Sequence, residues 1–158
     1  MSYVRPVSVC DSTASDLAGE IIAALSAASI VFKDEIMYSG ELIKAAGKLY
    51  EVTSREDPGR KQGTYTKVDA CGGEARDYYN STSFIDELVW GGTWLFFATG
   101  NNSYLAYATE RFKAAEDEET ESEKGIFYWN NKLTATAVIF VKDFRDGVYE
   151  DIKLVPAE

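Results

Sequence analysis

The sequence predicts an all-α protein of about five helices, and three features predict it. Apolar and small residues recur at helical spacing through five stretches. Ser, Asp or Asn stands at the entry of several of these stretches, and Gly or Pro-Gly follows the end of others. The connections between them alternate between short and long, as in an array of helical hairpins.

The first helix covers residues 16–33, entered through Ser15 or Asp16 as N-cap with Glu20 near the first turn. Its apolar and small residues extend around most of the circumference, which predicts burial on more than one face. Ser39-Gly40-Glu41 opens the second helix, where Leu42, Ala46, Leu49 and Val52 fall on one stripe and Pro58-Gly59 marks the stop. Residues 57–84 form a long connection rich in Gly, Lys, Thr and Tyr, and structureless connections of that length are usually functional. The third helix runs from Phe84 to Thr99 and closes on Gly100-Asn101. The fourth begins near Asn102 and Ser103 and carries Leu105, Ala108 and Phe112 inward. Glu116 to Glu123 reads as an exposed, mobile acidic loop. Trp129-Asn130-Asn131-Lys132 then opens the fifth helix, from Leu133 to about Lys142.

Composition excludes several functions. Among 158 residues, 26 acidic side chains against 16 basic ones give a net charge of −10, so no basic face is available for nucleic acid or anionic lipid. The absence of histidine excludes Ser/His or Cys/His catalysis and His-ligated zinc within the chain. Hydrophobic residues at 46% and aromatics at 13% predict a packed globule. Cys10 and Cys71 either pair in an oxidising compartment or remain two buried thiols. No apolar run approaches the ~20 residues that span a bilayer, and Met1 is not followed by a signal-peptide apolar region. A targeting element for the secretory route would therefore lie outside these residues.

The most informative stretch runs from Asp77 to Leu95. It is a Tyr- and Asn-rich loop that delivers Asp86 and Glu87 into the first turn of a helix carrying Trp90 and Trp94. Aromatic faces beside polar and acidic groups suit carbohydrate, because sugar rings offer C–H faces to the first and hydroxyls to the second. Trp90 and Trp94, four residues apart, share a helix face and read as core. Asn80-Ser81-Thr82 and Asn101-Asn102-Ser103 are both glycosylation acceptor patterns. Asp86 and Glu87, read from the helix alone, stabilise its N-terminus through the dipole.

Seven segments, in order and spacing, resemble glycoside hydrolase family 9, the plant endo-1,4-β-glucanases, and most of all its membrane-anchored branch. They are Arg5-Pro6-Val7, Ser15 to Glu20, Ala27 to Asp34, Tyr79-Asn80-Ser81, Asp86 to Gly92, Ala98 to Asn101 and Trp129 to Leu133. The resemblance runs from Arg5 to Val138. It implies an (α/α)6 barrel, incomplete here, with residues 1–158 forming part of a catalytic domain. It further implies hydrolysis of internal β-1,4-glucosidic bonds with inversion, which needs two carboxyl groups roughly 6.5–9.5 Å apart.

In the family the base sits in an Asp-Ala-Gly-Asp motif upstream, and the acid is a Glu in a C-terminal motif. Neither motif occurs in this sequence, which predicts a fragment of about a third to two-fifths of the barrel. No catalytic residue is therefore expected in the chain. The alternative is a non-catalytic helical remnant that binds glucan or protein weakly. The resemblance assigns substrate contact to Tyr79, and Trp129 at a helix entrance reads as either packing or cleft lining. It implies no required cofactor, and Ser83, Asp86 and Glu87 as ligands of a structural calcium. Two departures bear on the calcium: the loop is one residue shorter than in the bacterial members, losing a glycine, and Asn130 replaces a family Asp ligand. A third bears on sugar binding, since Thr82 stands where many members place a stacking Trp. The family is secreted or membrane-anchored facing the cell wall. An incomplete ring also predicts self-association through uncovered apolar faces.

Overall fold

The computed structural model describes residues 8–11, 13–55 and 61–145. The Arg5-Pro6-Val7 motif, the Pro58-Gly59 stop and the polar end at 152–158 lie outside the described residues. Six α-helices occur among those described: α1 (Ser15–Val31), α2 (Ile36–Ser54), the short α3 (Asp69–Gly72), α4 (Ile85–Thr99), α5 (Asn102–Glu118) and α6 (Leu133–Arg145). Among the described residues no helix is long and apolar enough to cross a membrane.

α1 and α2 form one hairpin, α4 and α5 a second, and α6 packs on both α4 and α5. α1 and α4 cross closely because both are glycine at the crossing. A Cβ on Gly91 would stand 2.8 Å from the Gly19 carbonyl oxygen, and one on Gly19 would collide with the Glu87 carbonyl. Ile22, Ala46, Tyr50 and Leu95 make one core between the hairpins, and Val89, Ala108, Ala115 and Leu133 make another beneath α6. This is an incomplete (α/α)6 barrel, the architecture that the resemblance implied.

Local structure departs from the sequence reading in identifiable ways. α1 has no side-chain cap: it begins at Ser15, whose backbone N–H donates to the Gly63 carbonyl, with Ala14 at the cap position. Its buried face is built of small and polar residues, Ala18, Gly19, Ala23, Ser26 and Ser29 around Ile22. Leu17, Ile21 and Val31 remain exposed, so burial is confined to the faces against α2 and α4. α2 starts three residues before Ser39, and its buried stripe is Ala46, Tyr50 and Thr53, while Val52 is exposed. The rotation follows from Tyr50, whose ring packs edge-on against Tyr104 and Tyr107 of α5.

The connection at 57–84 is not structureless. It contains α3 and two 3₁₀ turns, Tyr65–Lys67 and Gly73–Asp77, and Cys71 in α3 forms a disulfide with Cys10. α4 ends as read, with Gly100 at φ +69° and its N–H on the Phe96 carbonyl. Asn101 caps α5, its side chain accepting from Ser103 N–H at 3.0 Å. The acidic block is not all loop: Glu116 to Glu118 complete α5, and Glu119 accepts from the Asn131 amide at 2.6 Å. Asn131 in turn starts α6 by accepting from Leu133 N–H at 2.9 Å.

Candidate functional site

Asp16 and Glu20 lie in the first turns of α1, Asp86 and Glu87 in the first turn of α4, and Lys132 immediately before α6. The three helices meet at their N-terminal ends. Lys132 Nζ pairs with Glu20 Oε1 at 2.5 Å, and Lys132 N–H donates to Asp86 Oδ2 at 2.9 Å. Helix N-termini carry partial positive charge, which favours the carboxylates gathered there.

A cavity of about 180 Å³ opens at this end, lined by Asp16, Leu17, Glu20, Tyr65, Ser81, Glu87 and Trp129. Trp129 forms its aromatic rim, and Tyr79 packs against Trp129 from outside the lining, their rings 5.7 Å apart and nearly perpendicular at 88°. Trp129 is 48% exposed and Tyr79 58%, so both present free ring surface. The two residues read from sequence as sugar contacts are thus brought together, although they are 50 positions apart. The position taken by a Trp in many family members holds Thr82, which is exposed and joined to Asn130 by two hydrogen bonds.

Each cavity carboxyl has its own partners. Asp16 accepts the N–H groups of Tyr65 and Leu17; burial raises its pKa above the usual carboxylate range despite hydrogen bonds that pull the other way. Glu20 is ion-paired to Lys132. Glu87 is only 3% exposed, and burial first, then the charge of Asp86 and a hydrogen bond with it, push its pKa up to about 10. The raised pKa keeps Glu87 in its neutral carboxylic acid form at neutral pH. Asp86 Oδ1 and Glu87 Oε2 are both buried without a hydrogen-bond partner.

Ser83, Asp86 and Glu87, the oxygens that the resemblance offers to Ca2+, lie before and in the first turn of α4. The Ser83 hydroxyl, however, donates to Glu118, and Glu87 holds a proton that an ion would have to displace. Ser83 and Asp86 line a second, smaller cavity with Glu118, Glu119, Glu123, Asn130 and Asn131, whereas Glu87 faces the larger one. Among the described residues no three acidic, His or Cys side chains surround one point that could hold a metal. A calcium ion here would complete its shell from Ser83, Asn130 or carbonyl oxygens.

Trp90 and Trp94 are half-buried on α4, stacked edge to face at 5.5 Å, with Trp90 also 6.3 Å from Phe127. They form an aromatic stripe at the edge of the core, less enclosed than the sequence reading expected. Asn80 and Asn101 are both exposed. Sequence reasoning missed Lys132, Glu20 and Asp16 as neighbours of the site. Lys132 stood in a recognised segment, but nothing local says that its ammonium reaches α1.

A carboxyl-lined cavity rimmed by Trp129, at one end of an incomplete helical barrel, is the architecture of the helical glycosidase fold class. Residues 1–154 match the model of "Glycosyl hydrolase family 9", and the chain belongs to that family. It is similar to Endoglucanase 10 of Oryza sativa subsp. japonica, 46% identical over 143 residues, 88% of this chain and 22% of that protein. Endoglucanase 21 of Arabidopsis thaliana is 40% identical over 144 residues, again 22% of its own length. The solved endoglucanase of the termite Nasutitermes takasagoensis superposes with a TM-score of 0.76 at 32% identity, covering 96% of this chain and 33% of that one. The chain thus spans about a fifth of these plant relatives and a third of the termite structure.

Proposed function

We propose that this chain forms part of the glucan cleft of an endo-1,4-β-glucanase that hydrolyses internal bonds of cellulose or a related glucan with inversion. Its own part is to hold the sugar chain, and alone it does not cleave it. The observation that carries this reading is the Tyr79–Trp129 pair, two partly free rings at right angles, of which Trp129 lines a cavity with Asp16, Glu20 and Glu87. The endoglucanase relatives support the substrate class. The absence of cleavage follows from the engagement of each cavity carboxyl. Asp16 is held by backbone N–H groups, Glu20 by Lys132, and Glu87 is protonated and buried. None is left as a base free to activate water, which inversion requires.

Calcium, where it binds, takes oxygen atoms of Ser83, Asp86 and Glu87 and stabilises the loop before α4 without taking part in chemistry. Asn80 and Asn101 carry N-glycans if the chain enters the secretory route, and the Cys10–Cys71 disulfide supports such an oxidising route. The location is then secreted or membrane-anchored, facing the cell wall. The exposed face of α1 (Leu17, Ile21, Val31) makes the isolated chain self-associate.

Affinity electrophoresis through a gel containing hydroxyethylcellulose tests the main reading. The chain should be retarded, and a Tyr79→Ala/Trp129→Ala variant should run freely. Retardation unchanged in that variant would remove the pair from the site. New reducing ends from carboxymethylcellulose, lost on substituting Asp16 or Glu87, would overturn the non-cleaving role.

A further inference from the structure

We infer that Lys132 is a positioning residue for the Trp129 sugar platform: its buried ammonium, paired with Glu20 of α1, holds the Tyr128 and Trp129 carbonyls and so sets the indole against Tyr79. The inference rests on the glucan-cleft reading for its consequence, though not for its geometry.

Lys132 is 6% exposed, and a buried ammonium is costly unless paired and hydrogen-bonded. Its Nζ meets three oxygens: Glu20 Oε1 at 2.5 Å, the Trp129 carbonyl, and the Tyr128 carbonyl at 3.5 Å. The main chain of Lys132 is fixed separately. Its N–H donates to Asp86 Oδ2, and its carbonyl accepts from Thr136 at 3.0 Å. The side chain therefore hangs from an anchored point between α4 and α6 and bridges to α1.

The charge is not needed to start α6, because Asn131 caps Leu133 N–H. What it does touch is the turn carrying Trp129. The turn itself is closed by paired backbone hydrogen bonds between Tyr128 and Asn131, and Asn130 and Asn131 tie it to Thr82, Glu119 and Glu123. The Trp129 indole stands out from that turn, 48% exposed, against the edges of Tyr79 and Tyr128, and Lys132 Nζ holds its carbonyl. The Glu20–Lys132 ion pair thus links the wall of α1 directly to the Trp129 carbonyl.

The test uses the 158-residue chain and its Lys132→Met variant, with near-ultraviolet circular dichroism and cellohexaose titration. The difference spectrum between the chain and Trp129→Ala isolates the band of the ordered Tyr79–Trp129 pair. Lys132→Met should lose that band with its far-ultraviolet signal retained. Its cellohexaose affinity should fall about tenfold, the factor that one hydrogen bond to a charged group is worth. In a Trp129→Ala background the same substitution should change affinity no further, since Lys132 acts through Trp129. Retention of the band in Lys132→Met, or an equal affinity loss in both backgrounds, would overturn the inference. Should Lys132→Met fail to fold, Glu20→Gln replaces it and should weaken the band; an undiminished band would be contrary. If the unsubstituted chain does not bind cellohexaose, the glucan reading fails, and the near-ultraviolet band alone decides the role of Lys132.

Discussion

Replacing Glu87 with glutamine should make the folded protein progressively more stable than the parent as pH rises. The folded-state pKa of Glu87 is pushed up to about 10 by burial and by Asp86, against a reference value of 4.5. Between those values the folded chain holds a proton that the unfolded chain has released. Stability is therefore fully present below 4.5 and falls as pH rises toward the folded pKa. One proton corresponds to about 1.4 kcal/mol per pH unit, or about 4 kcal/mol between about pH 5 and about pH 8. That is a large share of the ~5–15 kcal/mol stability of an ordinary domain. Glutamine keeps a donor toward Asp86 and cannot ionise, so its profile should be flat wherever Glu87 is the only sloping group. The assay is urea unfolding at fixed protein concentration across this pH range, with a chelator present so that no cation competes with the proton. Parallel profiles for parent and variant would refute the reasoning. So would a variant that is less stable by the same amount at both ends of the range.

The remaining predictions concern the frame around the site. Gly19→Ala drives a Cβ into the Glu87 carbonyl on α4 and should cost about 2–4 kcal/mol by thermal melting, as overpacking and strain do; an unchanged Tm would contradict the close crossing of α1 and α4. Reduction of Cys10–Cys71, whose partners are 61 residues apart, should remove on the order of 4 kcal/mol by the loop-entropy relation, read as a lower urea midpoint in dithiothreitol; no shift would show that the pair is not bonded. Ile21→Asp, on the exposed stripe of α1, should shift sedimentation toward monomer, and unchanged association would move the contact to another face. Added Ca2+ should raise Tm through the Asp86–Glu87 pair, and an equal rise in Asp86→Ala/Glu87→Ala would exclude those ligands.

Long helices with clear ends were legible in the sequence. Gly100 closes α4 because only a residue without Cβ takes φ +69° without strain, and Asn101 caps α5 with its own side chain. What failed were decisions made by tertiary contact. The burial of Tyr50 in place of Val52 is set by two tyrosines on α5, which no periodicity within α2 reveals. The first three acids of the block 116–123 are helical because α5 continues into them, and Glu119 is held by an amide twelve residues on. Tyr79 and Trp129 could each be singled out by residue type and resemblance. Their meeting beside a cavity lined by Glu87 depends on the convergence of α1, α4 and α6, set by the glycine crossing of α1 and α4 and bridged by Lys132 reaching Glu20.

The most direct test of the central claim follows the three indole N–H signals of Trp90, Trp94 and Trp129 by two-dimensional 1H–15N NMR during titration with cellohexaose. The Trp129 signal should shift saturably while those of Trp90 and Trp94 stay in place, and maltohexaose of equal length should leave all three unmoved. A static Trp129 signal, or an equal shift with both oligosaccharides, would contradict the assignment of a β-1,4-glucan surface to the Tyr79–Trp129 pair.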